Sequence, residues 1–541
     1  MKKKITSLLA MVLVLCMLLS GCMLDFAGYF RQMGMLLTGT GMTHFENMTY
    51  VRPDAQALQA KVDDCCGQVQ LANNLDALVA IIYEAYGPLN DFSTAYALAN
   101  IYYSKDLTDT YWAAEYAYCT ENLAIAQAAM DKLYRALAKS PFRQQLETEE
   151  YFGAGFFDNY EGESVYDEVF TQLLSQEAEL ENRYYALWNE AGTMDPYSEA
   201  FLDTYAPQMG QLYVELIRVR QQMAKHLGYE DYPQMAYDFY YGRGYTTQQT
   251  TSYLADIRAE LVPLYRNLSV EDLGLSMRYT SQQETLSYVR DMAHAMGGRV
   301  QEAFDYMEQY GLYDIAYGEN KYDASFEVFI QNYYSPYVFI NPTQTQQDKL
   351  TLAHEFGHFF CDYVNMGSAA GIDVAEVFSQ GMEYLSLCYG SDTQELLKLK
   401  MVSSLSVMVE QAAYASFEQQ VYGLEGEALT VENIQALFAQ VGTAYGFDTW
   451  GFDSRSYVLV THFFTEPMYV ISYVVSNDVA LQLYQLEKAE SRPGAGLAAM
   501  EDIIYSAHSD IVEFTQAYGL QSPFADGRMT AIKETLQSVL G

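Results

Sequence analysis

The stretch LAHEFGHFF, residues 352–360, constrains this chain more than any other, because it fixes two histidines four residues apart with a glutamate after the first. From about Thr345 the pattern TQQDKLTLAHEFGHFFCDYV predicts a helix. Residues four apart share one helix face, so His354 and His358 can turn their imidazoles to one ion with Glu355 beside them. Neutral imidazole is a good zinc ligand, and two ligands on one rigid turn need little further ordering. A catalytic zinc takes a third protein ligand and keeps one position open, and an acidic residue on a following helix is the usual supplier.

The turn MGSAAG, 366–371, leads into DVAEVFSQGMEYL, a second predicted helix. Glu376, 18 residues beyond His358, lies in its first turn and is the expected third ligand. Glu383 follows seven residues later on the same face, placed to hold the free ring nitrogen of a ligand histidine. Asp373 competes as a ligand, but its position before the helix suits an N-cap occupied with backbone amides. Just upstream, SPYVFIN, residues 335–341, is short, aromatic and β-branched. A proline near each end predicts an edge strand, with Tyr337, Val338 and Phe339 offering backbone to an extended peptide.

Most of the rest reads as helix. Apolar residues recur at three and four over Asn74–Tyr86, Leu123–Leu137 and Tyr166–Trp188, and only 12 prolines interrupt 541 residues. The 49 tyrosines are spread throughout, as in the packing of a large helical protein, and would also suit a surface that binds peptides. There are 30 basic against 70 acidic residues, a formal net charge of −40 that repels nucleic acid. Outside the first 22 residues the cysteines are Cys65, Cys66, Cys119, Cys361 and Cys388. Their odd number and spacing exclude a small disulfide scaffold and leave open a bridge to Cys119.

The N-terminus is expected to be an address rather than part of the core. Lys2, Lys3 and Lys4 precede an apolar run from Ile5 to Leu19, the layout of a secretory signal. Leu19, Ser20, Gly21 and Cys22 resemble the bacterial lipobox, which implies a lipoprotein held to the outer face of the cell membrane through lipid on Cys22. The expected organisation is a signal at 1–21, a lipidated tether at 22–50 ordered from near Tyr50, an N-terminal helical region at 51–200, and a zinc catalytic domain at 201–541.

HEFGH and EVFSQGMEY resemble the thimet oligopeptidase and oligoendopeptidase F family of zinc metallopeptidases. HFFTEPMYVISYVVS, 462–476, resembles the oligoendopeptidase segment whose histidine and tyrosines face the substrate carbonyl. KHLGYEDYPQMAYDFYYGRGYTTQQTTSYLADIRAELVPLY, from Lys225 to Tyr265, resembles the start of that family's core. The resemblance runs from about Ala200 to Gln485, while 23–199 match only in being helical. It implies a mainly α, zincin-like metallopeptidase with a deep central channel and a small edge sheet beside the active site. It further implies one zinc per chain on His354, His358 and Glu376, Glu355 as general base, and His462 with Tyr469 or Tyr473 as carbonyl-facing donors.

The expected activity is hydrolysis of internal bonds in short unfolded peptides outside the cytoplasmic membrane. A peptide-binding lipoprotein without catalysis and a zinc carboxypeptidase on a similar helical body are the alternatives. Two departures from the family stand out: the interval from His358 to Glu376 is several residues short, and Ile471 replaces a tyrosine common in oligoendopeptidases. His44, His226, His294 and His508 have no second histidine at ligand spacing and read as ordinary surface or core residues.

Overall fold

The computed structural model describes residues 42–540 apart from 149–150, 154, 163, 193, 270–271, 273, 275–277, 366, 368–370, 392, 490, 492 and 504–509. The signal, Cys22, most of the tether and His508 lie outside the described residues. Numbering helices of 13 residues or more, the chain opens with α1 (Ala55–Val69), α2 (Leu75–Lys105) and α3 (Thr110–Ala138), packed on one another. Each begins where a polar side chain takes up orphan backbone amides, Asp54 for α1, Asn74 for α2 and Asp109 for α3. The paired helices α4 (Glu168–Ala191) and α5 (Glu199–His226) follow, capped by Asp167 and Ser198. The three periodic stretches read from the sequence therefore lie at or within α2, α3 and α4.

Next come α6 (Thr247–Glu260), α7 (Gln282–Met296) and α8 (Gly298–Tyr310), then β1 (Tyr313–Asp314), β2 (Ser325–Ile330) and β3 (Ser335–Ile340). The remaining long helices are α9 (Gln347–Asn365), α10 (Ile372–Tyr389), α11 (Thr393–Val421), α12 (Val431–Ala444), α13 (Ile471–Lys488) and α14 (Arg528–Leu540). The fold is thus mainly helical with one small sheet, as expected. Packing begins earlier than Tyr50, since Phe45 is buried with its ring 4.3 Å from that of Tyr337. All five described cysteines are free thiols, so no bridge to Cys119 forms. Tyrosine serves packing here: Tyr96, Tyr134, Tyr184 and Tyr213 are among the largest fully buried side chains.

The sheet corrects one expectation. Its order is β1-β3-β2, so SPYVFI is the central strand rather than an edge. Pro336 is tolerated there because β1 is two residues long and pairs, in parallel, only at Val338 and Phe339; beside Pro336 that side of β3 meets no strand. On its other side β3 runs antiparallel to β2, with Tyr337 opposite Val328 and Phe339 opposite Phe326. The edges are the two-residue β1 and the six-residue β2.

Helix α9 lies between this sheet and α10, and α10 is in turn packed against α13. Every residue of α10 from Ile372 to Leu387 is buried, so its polar members must find partners inside the protein. The α9–α10 crossing is closest at Gly357, where an added Cβ would stand 2.6 Å from the Phe378 carbonyl oxygen and 2.6 Å from Ser379 Cα. Both obstacles are backbone. Gly357→Ala should therefore destabilise the fold by about 1–3 kcal/mol in chemical denaturation, by forcing α10 away from α9.

Candidate active site

Helix α9 turns His354 and His358 to one side, with ring centroids 5.1 Å apart. Glu376 comes from the first turn and a half of α10. Its Oε2 lies 3.6 Å from His354 Nε2 and 3.8 Å from His358 Nε2. One donor atom from each of the three residues falls within 4.8 Å of the others, and this is the group among the described residues able to hold a metal ion. These spacings are close to the ~3.3 Å edge of a tetrahedron with ~2.0–2.1 Å ligand distances. The donor chemistry, two imidazoles and one carboxylate, fits zinc.

Two of the three, His354 and Glu376, are held from behind. His354 Nδ1 lies 2.8 Å from Glu383 Oε1, and the other Glu383 oxygen accepts a hydrogen bond from Lys400 Nζ at 2.9 Å. That arrangement fixes the tautomer that leaves His354 Nε2 facing Glu376. Glu376 Oε1 accepts from the Tyr469 hydroxyl at 2.7 Å, and its Oε2 accepts from Ser379 Oγ at 2.9 Å. Glu355 follows His354 and is 4 % exposed; its Oε2 is buried with no hydrogen-bond partner. The side chain of Ser325, first residue of the edge strand β2, lies close enough to the Glu355 carboxyl to favour its ionised form.

The electrostatics follow from burial among carboxylates. Burial alone would push the His354 imidazole down, but the hydrogen bond and charge of Glu383, with Glu355 and Glu376 nearby, outweigh it and raise it to about 9. Burial and the neighbouring His354 hold His358 well below the usual histidine range, so it is neutral. Burial lifts Glu355 to about 7 against the opposing pull of His354. Burial would also raise Glu383, but Lys400 and His354 prevail and keep it ionised, below the usual range.

His462 and Tyr473 form the far wall, with His462 Nε2 3.4 Å from the Tyr473 hydroxyl. Burial pushes His462 down to about 4, so it is neutral through the physiological range. The two tyrosines differ in their contacts: the Tyr469 hydroxyl donates to Glu376, and Tyr473 stands beside His462. The site reaches solvent through His354 and His462, whose side chains are 22 % and 25 % exposed.

Other expectations are redirected. Tyr337, Val338 and Phe339 have no exposed surface and sit in the central strand, so they cannot pair with a peptide; the free backbone beside Glu355 belongs to β2. Asp373 caps nothing, because Gly371 holds the N-cap position, and it is not in the metal-capable group. It instead accepts from the Tyr245 hydroxyl at 2.7 Å and from Ser472 Oγ, with Arg243 Nε 3.5 Å away. Lys400, Ser379, Arg243 and the buried Glu466, whose Oε2 lies 3.7 Å from His462 Nε2, were not singled out in the sequence: Lys400 and Arg243 reach the site from other elements, whereas Ser379 and Glu466 lie three and four residues from Glu376 and His462, a spacing that could have pointed to them. His226 and His294 pair with Asp167 and Asp305 away from the site.

Protonated His354 must lose its proton from Nε2 to accept an ion, so divalent-metal affinity should fall as pH drops below about 9. Glu383→Gln should weaken the limiting high-pH affinity by roughly 10–100-fold and move that dependence to lower pH, because the charge that raises His354 is gone. Chelator competition across pH measures both.

Comparison with known proteins extends the reading to the whole chain. The Peptidase M3 N-terminal domain family matches residues 45–164, a region where the sequence motifs gave no family signal. No curated protein sequence matches the chain. Among solved structures, one described as an oligoendopeptidase F superposes with a TM-score of 0.80 at 21 % identity, covering 92 % of this chain and 98 % of the other. PZ peptidase A, solved with an inhibitor, gives 0.80 at 20 % identity over 92 % and 99 %. A structure described as an oligoendopeptidase F from Bacillus anthracis gives 0.77 at 20 % identity over 92 % and 98 %. Residues 45–164 thus match the Peptidase M3 N-terminal domain, and the fold is that of solved proteins described as oligoendopeptidase F and PZ peptidase A.

Proposed function

We propose that this chain is a zinc-dependent oligoendopeptidase that cuts internal bonds of short unfolded peptides. The observation that carries the reading is the unpartnered Glu355 Oε2, buried beside three metal-capable donors, of which His354 is oriented by Glu383 and Glu376 by Ser379 and Tyr469. A buried carboxylate oxygen with no partner is expensive to maintain for structure alone. It is the group a general base needs.

His354, His358 and Glu376 would hold one zinc ion, which supplies Lewis acidity that acidifies water and polarises a peptide carbonyl. Glu355 accepts the proton of the attacking water and afterwards delivers it to the departing amine. The carboxyl lifted to about 7 exchanges a proton readily near neutrality; a bound cation would draw it lower and keep it in the base form. The Tyr473 hydroxyl, beside neutral His462, donates to the carbonyl oxygen as charge develops there. The edge of β2 beside Glu355 offers backbone groups to an extended peptide, the task first expected of β3.

The test follows unfolded peptides of about 6–15 residues by mass spectrometry, with wild type beside Glu355→Gln. Internal cleavage that disappears in Glu355→Gln and after chelation supports the proposal. Removal of single C-terminal residues would make the chain a carboxypeptidase, and tight peptide binding without cleavage would make it a receptor.

We also propose that the protein works outside the cytoplasmic membrane, anchored by lipid on Cys22, on the strength of the lipobox-like residues 19–22. Cys22→Ala should move it from the membrane fraction to the soluble extracytoplasmic fraction. Retention in the membrane would overturn the anchor.

A further inference from the structure

The hydroxyl that braces Glu376 belongs to Tyr469, and the residue before it has an unusual backbone. Met468 is buried at 1 % exposure and has a φ of 66°, the left-handed region that a residue bearing a Cβ seldom adopts without constraint. Two buried charged side chains supply that constraint from opposite sides of one residue. The Met468 N–H donates to Glu418 Oε1 of α11 at 2.7 Å. The Met468 carbonyl accepts from Arg243 Nη1 at 2.9 Å.

Arg243 does more than hold one carbonyl. Its Nη2 donates to Ser472 Oγ at 2.7 Å and approaches the Tyr469 carbonyl at 3.5 Å, so its planar fork spans the turn from Met468 to Ser472. The guanidinium lies 4.4 Å from the Tyr237 ring centroid and 4.3 Å from that of Tyr241, and the Tyr241 hydroxyl donates to the Pro467 carbonyl at 2.8 Å. Its Nε faces Asp373, three residues before Glu376 on α10. Arg243 therefore joins the helix that carries Glu376 to the turn that carries Tyr469, while it stabilises the strained peptide between them.

We infer that Arg243, acting with Glu418, is a positioning residue for the metal site: it holds Met468 left-handed so that the Tyr469 hydroxyl reaches Glu376. Neither residue touches the three metal-capable side chains. A lysine at 243 keeps a positive charge for Asp373 but has no planar fork to reach Met468 and Ser472 together. Glycine at 468 enters the left-handed region freely and removes the need for a hold. The inference rests on the metal-binding reading of His354, His358 and Glu376.

Zinc affinity, measured by competition with a fluorescent chelator on the folded wild type, Arg243→Lys, Tyr469→Phe and the double variant, tests it apart from turnover. Arg243→Lys and Tyr469→Phe should each weaken zinc by roughly tenfold, and the double variant by no more than the larger single loss, because both act through one contact. Met468→Gly should restore most of the affinity lost in Arg243→Lys, which a general packing defect would not allow. Wild-type affinity in Arg243→Lys, or losses that multiply to about a hundredfold in the double variant, would overturn the inference while leaving the metal site standing. A wild type that binds no zinc would overturn both.

Discussion

Everything at this site depends on the contact of two helix backbones at Gly357. A side chain there would meet the backbone of Phe378 and Ser379, so the residue between the two histidines is the one that lets the histidine helix lie directly on the glutamate helix. That approach sets the 3.6 and 3.8 Å separations of Glu376 from the two imidazoles. It also explains why α10 is buried all round while carrying Asp373, Glu376 and Glu383: with α9 on one side and α13 on another, its carboxylates have only protein to meet.

Burying so many ionisable groups in a chain with a net charge of −40 requires partners at each of them. Glu383 is matched by Lys400 and His354, Asp373 by Arg243 and two hydroxyls, and Asp478 by Arg528. Arg220, fully buried, donates to the carbonyls of Phe463 and Phe464 and pairs with Glu177, tying α5 and α4 to the segment that follows His462. The scarce buried cations are spent where they position backbone or carboxylates around the site. Glu355 Oε2 and both oxygens of Glu466, in and beside the candidate site, are among the buried carboxylate oxygens without a hydrogen-bond partner, as are Glu181 Oε2, Glu327 Oε1 and Glu418 Oε2.

The strand that misled the sequence reading shows how local rules fail. Prolines near each end of SPYVFIN argued for an edge, and the rule behind that argument is sound, since proline has no N–H to donate. What the local pattern could not reveal is that a two-residue strand would pair only with Val338 and Phe339, leaving Pro336 opposite no strand on that side. An edge went instead to SFEVFI, whose first residue lies close to Glu355.

By itself the sequence determined the helical class, the face shared by His354 and His358, and the companions Glu376 and Glu383, because each follows from spacing along one helix or from a motif of consecutive residues. That Glu383 stands to hold one of the two histidines was legible for the same reason, and the structure shows that the histidine is His354. Tertiary structure decided which tyrosine braces Glu376, which strand borders Glu355, and which residues of other elements, Lys400, Arg243 and Glu418, pack around the site. Those choices depend on contacts between elements up to hundreds of residues apart, and periodicity records only which way a side chain faces on its own element.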